Sequence, residues 1–249
     1  MIIWGTKPVY RKLGYVYDFC PICRQPRSFI LERLGMAGHI YYISLADGEL
    51  VGYQRTCMNC KTFYSSDPSI YKAFSKNNID PIAKLKSDTF PNFSDFRSER
   101  LRLEAIISDS IAKLTEEERK ELISEPFFLI SPKVEKRFAR TYFDKEVSLS
   151  MFFFIVLWLF MPSIADALML DNIEIPLLTS MVIGICFITW QYLISGRRYM
   201  RREILPILVT TLTPLNPKKE EIDSVLSNLN RLGYKIAKKL KLTDFNLTP

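Results

Sequence analysis

Four of the five cysteines are arranged in two pairs with the spacing of a metal site. Cys20 and Cys23 form the first Cys-x-x-Cys pair. Cys57 and Cys60 form the second pair, 33 residues further along the chain. Each such turn places two thiolates on one side of an ion, and two turns complete the sulfur tetrahedron that Zn²⁺ prefers. Because four sulfurs leave no open coordination position, the spacing predicts a structural zinc site and no metal-based hydrolysis.

Other chemistries of the same cysteines stay open at this stage. The alternatives to zinc are iron held by four cysteines, as an iron–sulfur or rubredoxin-like centre, and a redox-active dithiol. A thioredoxin-like dithiol occurs once and opens a helix, whereas here a second pair is present and no helical pattern follows Pro21. His39, the only histidine, is expected to be a strand side chain, and Cys186 is expected to pack as a small apolar residue.

The sequence contains no motif that predicts an enzyme. A phosphate-binding glycine loop, a GxSxG elbow, an HExxH motif and a second histidine are all missing. The three acids Glu116, Glu117 and Glu118 follow Thr115 and indicate the start of a helix, not a catalytic dyad. We therefore expect a protein without enzymatic activity.

Short strands must bring the two cysteine pairs together. Apolar and aromatic residues are enriched between the pairs, and Asp47-Gly48 supplies a turn. We predict a small N-terminal β zinc ribbon over residues 1–66, in which strands cover residues 28–34, 38–45 and 49–56. Bound zinc would contribute on the order of 10 kcal/mol of folding free energy, which a thin core of this size needs.

The cysteine-containing stretch resembles the N-terminal domain of bacterial zinc-ribbon domain-containing proteins, many of which continue into membrane helices. The resemblance covers about the first sixty residues and is carried by the runs WGTKPVYRKLGYVYDFCPICR and AGHIYYISLADGELVGYQRTCMNC. It implies that the zinc ligands are Cys20, Cys23, Cys57 and Cys60. The family has no assigned reaction, so the resemblance implies a fold and a bacterial inner membrane without implying an activity.

Two apolar runs near residue 170 are long enough to cross a membrane. Residues 149–170 and 175–196 contain 22 residues each, which is about 33 Å of helix against a hydrocarbon core of about 30 Å. Only residues 171–174 join them, so residues 147–196 are predicted to form a two-helix transmembrane hairpin. Three residues within the two runs differ from their apolar neighbours. Asp166 is the only charge, and we expect it to reach headgroups or water near the outer end. Pro162 is expected to kink its helix, and Gly184 is expected to mark a close contact between helices, so neither is expected to be a hinge.

The basic residues bracket the apolar region and predict its orientation. The net charge is +7, yet residues 147–196 contain no lysine or arginine. Basic residues crowd both flanks, at Lys133, Lys136, Arg137, Arg140 and Lys145 and at Arg197, Arg198, Arg201 and Arg202. Since such residues stay on the cytoplasmic side, both termini of this multi-pass protein are expected in the cytoplasm. The opening residues lack the apolar core of a signal peptide.

Amphipathic helices are predicted in the two polar regions, residues 67–146 and 197–249. A helix over residues 94–114 is expected first, then one from Glu116 to near Pro126. Another should start at Pro132 and could run into the membrane. After the spans, a helix from Pro217 has one apolar and one basic face, and we expect it to dock on the helices of residues 94–130. Contact of its basic face with an anionic leaflet and binding of nucleic acid are the alternatives.

Together these features predict an α+β membrane protein whose cytoplasmic zinc ribbon acts as a platform for a protein partner or for self-association. The lipid bilayer is the other expected partner. Candidate contact residues are the aromatics Tyr41, Tyr42, Tyr53, Phe63 and Tyr64. Nucleic-acid binding is the first alternative and would use Arg24, Arg27, Arg33 and Arg55, but a surplus of +3 over sixty residues is a weak footprint. A small oligomeric transporter that depends on Asp166 is the second.

Overall fold

The chain begins with an antiparallel sheet and continues as helices, which confirms the predicted α+β class in this coarse form. The computed structural model describes residues 4–41, 43–44, 46–79, 81–139, 143–167 and 174–245, without the side chains of residues 162–167 and 174–176. The sheet has the order β1-β2-β4-β5, and β3 pairs with β2. Its strands are β1 Trp4–Cys20, β2 Gln25–Ile40, β3 Ile43–Ser44, β4 Glu49–Cys57 and β5 Phe63–Ser65.

The sheet has a packed end and an exposed end. From Gly14 to Cys20 nearly every residue of β1 is buried, whereas its first ten residues are exposed or half-buried. At about 3.3 Å per residue, the nine residues of β1 before its bulge extend about 30 Å away from the packed end. We call this projecting part, formed by residues 4–12 and 33–40 with β3, the arm.

Two of the predicted strands are a single strand. The strands predicted over residues 28–34 and 38–45 were separate, but β2 runs unbroken from Gln25 to Ile40. Gly35 instead lies at a register shift in the pairing of β2 with β4. A Cβ atom there would lie 2.2 Å from the Asp47 carbonyl oxygen, so this glycine permits close strand approach and is not a turn.

The helices form the rest of the chain. They are α1 Ile82–Thr89, α2 Phe93–Phe96, α3 Ser98–Asp109, α4 Glu116–Phe138, α5 Lys145–Ala167, α6 Glu174–Tyr199, α7 Leu205–Leu212, α8 Lys219–Arg231 and α9 Lys235–Lys239. A π-helical segment, Met200–Ile204, joins α6 to α7. Single 3-10 turns occur at Pro68–Ile70, Ile111–Lys113, Thr213–Leu215 and Leu242–Asp244.

Helix α4 corrects the prediction of two helices that meet near Pro126. The predicted capping box is present, because Thr115 and Glu118 exchange side-chain and backbone hydrogen bonds. The helix then continues through Pro126 and Pro132, and it ends at Phe138 instead of running on into the apolar region. A proline inside a helix costs about 3 kcal/mol, and burial of neighbouring side chains such as Phe127 outweighs that cost here.

The single helix predicted over residues 94–114 is broken. Helix α2 ends before Arg97, α3 starts after it, and a 3-10 turn at Ile111–Lys113 follows. Arg97 has the non-helical angles φ −109° and ψ 17°, which turn its side chain toward the sheet. A buried ion pair therefore overrides the helical periodicity of this segment.

One helix in the described part of the chain is long and apolar enough to cross a membrane by length and composition. It extends over Leu177–Leu215 with a mean hydropathy of 1.8, and no residue of its most apolar stretch is buried. It contains most of the second predicted span, residues 175–196. The first predicted span, residues 149–170, begins in α5, but the side chains of residues 162–170 lie outside the described residues. The described residues therefore give one candidate span and not the predicted two-helix transmembrane hairpin.

Helices α5 and α6 pack against each other in antiparallel fashion. Arg198 donates hydrogen bonds to both carboxylate oxygens of Asp144, at 3.0 and 3.1 Å, where α5 begins and α6 ends. Further along, a Cβ atom on Gly184 would lie 1.9 Å from the Phe154 ring, so this position requires a glycine. This contact confirms the predicted role of Gly184 as a close helix contact. The predicted kink at Pro162 falls on a side chain outside the described residues.

The C-terminal helices dock on α4, as the apolar stripe predicted. Ile222 and Leu229 of α8 and Ile236 of α9 are fully buried, and both helices contact α4. The expected continuous helix from Pro217 is interrupted, since Gly233 adopts φ +83° between α8 and α9. That turn lets both short helices pack on the same neighbour.

A buried carboxylate ties the sheet to the helices. Asp18 of β1 is fully buried and accepts hydrogen bonds from Arg97 Nε and Nη2, both at 2.9 Å. Arg55 of β4 pairs with the same carboxylate, and the Tyr71 hydroxyl donates to it at 2.8 Å. One backbone N–H, from Phe19, completes the set at 2.7 Å. Two guanidinium groups therefore share one carboxylate.

Replacing Asp18 with asparagine should destabilise the fold strongly, because two buried or half-buried guanidinium groups would lose their counter-charge. We expect Asp18→Asn to lower the free energy of unfolding by about 3–5 kcal/mol. The matched control is Asp47→Asn, which removes an exposed pair with Arg11 and should cost less than about 1 kcal/mol. Denaturant unfolding of the full chain in detergent measures both, and similar losses in the two variants would contradict the assignment.

Candidate metal centre

The four cysteines of the two Cys-x-x-Cys pairs meet at the packed end of the sheet. Their sulfur atoms all lie within 4.8 Å of one another. The Sγ atoms of Cys20 and Cys60 are 3.6 Å apart, and those of Cys23 and Cys57 are 3.9 Å apart. A tetrahedron with metal–sulfur bonds of about 2.3 Å has sulfur–sulfur edges of about 3.8 Å. The cluster therefore has the size that a tetrahedrally bound metal ion needs.

Two turns of the same construction present the sulfurs. Cys20 is the last residue of β1 and Cys57 the last residue of β4, so each pair opens where a strand ends. The residue after each second cysteine, Arg24 or Lys61, has a left-handed backbone with φ +54° or +56°. This conformation, rare in residues with a side chain, reverses the chain direction directly after the second sulfur.

Polar groups around the sulfurs orient them. The Cys23 backbone N–H donates to Cys20 Sγ at 3.4 Å, and Asn59 Nδ2 donates to Cys23 Sγ at 3.3 Å. The Tyr64 hydroxyl lies 3.4 Å from Cys20 Sγ. Such outer contacts hold metal-binding side chains in place. Sequence reasoning missed Asn59 and Tyr64, because only the spacing Cys57-x-x-Cys60 marks this turn in the sequence.

The thiols differ in how readily they lose a proton. Hydrogen bonding from Cys20 lowers the pKa of Cys23 to about 6 and also lowers the pKa of Cys60. The same interaction with Cys23 raises the pKa of Cys20. Burial, followed by the charge of Cys20, raises the pKa of Tyr64. The cluster therefore favours sulfur anions that share the remaining protons, and a divalent cation in their place would neutralise that negative charge.

The first cysteine turn is fastened to two helices. Arg24 donates two hydrogen bonds to Glu104 of α3, at 2.8 and 3.0 Å, and a third to the Thr211 carbonyl of α7 at 3.3 Å. In return, the Thr211 hydroxyl donates to the Ile22 carbonyl at 2.8 Å. Glu104 lies 80 residues from Arg24 in the sequence, and Thr211 lies 189 residues from Ile22, so no local motif marks either residue. The metal centre is thus in direct contact with the continuation of the apolar helix.

The other candidate residues lie apart from the cluster. His39 is a buried side chain of β2 on the arm, consistent with its prediction as a strand residue. Cys186 is exposed on α6. Tyr64 belongs to the buried core and Tyr41 is exposed, so the aromatics proposed as a contact surface do not form one set. Asp166 has a side chain outside the described residues, and Tyr42 is outside them altogether.

The cysteine cluster should hold one metal ion per chain. The double variant Cys20→Ser/Cys57→Ser removes one sulfur from each turn, so we expect its metal content to fall from about one equivalent to near zero. Cys186→Ser is the matched control, because its thiol lies on α6, and it should retain the full metal content. Elemental analysis of protein purified without chelators measures both variants. Full metal content in the double variant would contradict the assignment of these cysteines as metal ligands.

Comparisons with known proteins add no relative to this picture. No family model, no curated protein and no solved structure matches the chain. The resemblance to bacterial zinc-ribbon membrane proteins is therefore supported only by the cluster of Cys20, Cys23, Cys57 and Cys60, and the function has to be argued from geometry.

Proposed function

We propose that the protein is a non-enzymatic, membrane-anchored zinc ribbon whose projecting arm docks another protein or a second copy of the chain. The observation that carries this proposal is a continuous apolar surface on the arm. These apolar side chains are not buried in the chain's own core. Two other features support the proposal. The metal cluster holds the strands of the sheet in place, and the apolar helices attach the protein to a bilayer.

Zinc is the metal that fits the cluster best. Four sulfur ligands at tetrahedral spacing suit Zn²⁺ or iron, and the two turns hold each sulfur close to a backbone or side-chain donor. Each of the four sulfurs is needed for the tetrahedron, so the ion has no free position for substrate or water. The bound ion contributes to folding. Visible absorption bands from bound iron would exclude zinc as the metal.

Membrane anchoring is proposed through both α5 and α6. The two helices lie antiparallel, their described side chains are mostly exposed, and the arginines cluster beyond the end of α6. Exposed apolar residues include Phe152, Phe153, Leu159, Phe160, Leu178, Ile183 and Leu193. An exposed apolar surface on two paired helices is costly in water and favourable in lipid.

The orientation can be tested with reporters at both ends of the chain. A hairpin of α5 and α6 with basic flanks in the cytoplasm predicts that reporters fused to the N terminus and to the C terminus are both active on the cytoplasmic side. If α6 alone crosses the bilayer, the two reporters must lie on opposite sides. That result would contradict the hairpin.

The arm carries the proposed contact surface. Trp4 of β1, Ile40 of β2 and Ile43 of β3 are consecutive cross-strand partners, and such partners place their side chains on one face. Met36 lies on the same face as Ile40, opposite Pro8. We call these five residues the arm patch. Trp4 is 78% exposed and Ile43 70% exposed, so the patch is open to solvent.

Contact with a protein partner is more favourable for the arm patch than contact with water. Single exposed apolar residues are common on proteins, but a contiguous group on a projecting hairpin marks an interaction surface. The outer edge of β1 pairs with no strand along residues 4–12 in the described part of the sheet. Lys7, Arg11 and Lys12 lie along that edge, and such charges protect an edge strand from unspecific pairing. The apolar face, not the edge, is then the specific contact.

Substitutions in the arm patch should abolish crosslinks without unfolding the chain. We expect the double variant Trp4→Ser/Ile43→Ser to lose most species formed by chemical crosslinking in membranes, because these two side chains lie on either side of Ile40 and are highly exposed. Leu232→Ser, on an exposed apolar residue at the end of α8, is the matched control and should keep them. Crosslinked species that are unchanged in the double variant would contradict the platform.

Nucleic-acid binding is less well supported, because three of the four arginines proposed for it have partners within the chain. Arg24 is paired with Glu104, and Arg55 with Asp18. Arg33 donates hydrogen bonds to the carbonyl groups of Asp47 and Gly48. Contacts to phosphate would have to break these bonds.

A further inference from the structure

A cationic pocket lies where the apolar helix emerges toward the helical layer. It has a volume of about 410 Å³ and is formed by the end of α4, the last two turns of α6, and α9 with the residues after it. The residues that line it are Arg137, Phe138, Tyr192, Leu193, Ser195, Gly196, Arg197, Lys238, Lys239 and Lys241. Five of these side chains are basic, and none is acidic.

Four of the five basic side chains of the pocket have no carboxylate beside them in the described part of the chain, in contrast to basic residues nearby. Nearby Arg198 pairs with Asp144, and Arg202 pairs with Glu146. Among the residues that the structure describes, no carboxylate forms an ion pair with the side chains of Arg197, Lys238, Lys239 or Lys241. A nearby carboxylate, that of Asp244, accepts a hydrogen bond from the Lys241 backbone N–H at 2.9 Å and pairs with Arg201. Like charges that converge on a concave site produce a strong positive potential, which favours an anionic ligand.

Aromatic contacts hold the pocket in shape. A Cβ atom on Gly196 would lie 2.8 Å from the Phe138 ring, so α6 and the end of α4 are in close contact here. Lys239 Nζ lies 5.4 Å from the centre of the Phe138 ring, and the Arg137 guanidinium lies 5.3 Å from that of Tyr199. These cation–π contacts hold basic groups at the rim of the pocket.

The wall of the pocket nearest the apolar helix is suited to hydrocarbon. Leu193 lines the pocket and is 72% exposed, and Tyr192 beside it is 39% exposed. Trp190, less than one turn away, is 55% exposed on the same helix. Aromatic rings of this kind favour the depth of lipid headgroups. A ligand with an anionic head and an apolar tail would therefore satisfy both sides.

We propose that this pocket binds the phosphate-bearing headgroup of an anionic phospholipid, with its acyl chains along α6. The inference rests on the proposed membrane anchoring, and it adds the class of lipid that the anchor selects. Free phosphate would use the same cations, but it would leave Leu193 and the apolar wall without a role. Basic pockets at the cytoplasmic ends of membrane helices recognise headgroups through this combination of charge and depth.

The test is lipid binding to the full chain in a neutral detergent, followed by native mass spectrometry. Phosphatidylglycerol should bind more tightly than phosphatidylcholine, and millimolar inorganic phosphate should displace it only weakly. Each lysine near a headgroup contributes about 1 kcal/mol, or about fivefold in affinity. We therefore expect Lys238→Gln/Lys239→Gln/Lys241→Gln to weaken phosphatidylglycerol binding on the order of a hundredfold.

The matched control removes the same charge elsewhere. Lys72→Gln/Lys84→Gln/Lys120→Gln changes three exposed lysines outside the pocket and should leave phosphatidylglycerol binding nearly unchanged. An equal loss of phosphatidylglycerol binding in the two triple variants would overturn the proposal that the pocket binds the lipid, because unspecific electrostatic attraction would then explain the binding. Equal affinity for the two lipids, or complete displacement by phosphate, would also overturn it.

Membrane anchoring is measured separately by alkaline extraction of the unaltered protein from membranes. Extraction into the soluble fraction, together with selective phosphatidylglycerol binding in detergent, would contradict membrane anchoring but support lipid binding by the pocket. Retention in the membrane without lipid selectivity would keep the anchor and reject the pocket.

Discussion

The convergence of four sulfurs on one point constrains where every nearby strand must end. Cys20 closes β1 and Cys57 closes β4, although β2 lies between these two strands in the sheet. The sulfurs can meet only if both turns curl over the same end of β2, which requires the left-handed residues Arg24 and Lys61. Register, turn geometry and the position of the packed end therefore follow from one local requirement. Without a cation at that point, repulsion between sulfur anions would oppose the same arrangement.

A second constraint joins the sheet to the helices. Asp18 lies two residues before the first cysteine and is neutralised by Arg55 from the sheet and Arg97 from the junction of α2 and α3. On the other side of the turn, Arg24 and Ile22 are bonded to α3 and α7. The segment around the first cysteine pair is consequently held from both sides by charged or polar contacts. The sheet and the helical layer behave as one unit, because a movement of either would leave buried polar groups unpaired.

Local patterns in the sequence were sufficient for part of this structure. The cysteine cluster, the capping box at Thr115, the close contact at Gly184 and the docking of the last helices were all predicted from spacing and periodicity. Predictions failed where distant residues decide the outcome. Pro126 looked like a helix end because the sequence does not display the burial that compensates it. Arg97 interrupts a periodic helix because its partner, Asp18, is 79 residues away.

The same limit applies to the site. The spacing of the cysteines marks the ligands, but Asn59, Tyr64 and Thr211 have no motif and are recognised only once the fold places them beside the sulfurs or the turn. The arm was missed for a related reason. Residues 4–12 of β1 have no buried face, so no alternation of apolar and polar residues marks them as a strand, and the glycines of β2 lie inside a strand that passes through them. The length of β1 follows from its pairing with β2, and the sequence does not specify β2 as the partner strand.

The apolar residues between residues 177 and 215 serve two different environments along one continuous helix. Up to Tyr199 they are mostly exposed, whereas Met200, Ile204, Leu208 and Leu212 are buried in the helical layer. The change occurs at the π-helical segment, where an extra residue per turn rotates the following side chains relative to α6. Hydropathy alone cannot separate these two parts, since both are apolar. Burial separates them, and it locates the end of the proposed membrane segment at the arginines that flank this turn. Because α7 contacts the first cysteine turn directly, the helix that we propose as the anchor is also bonded to the packed end of the sheet.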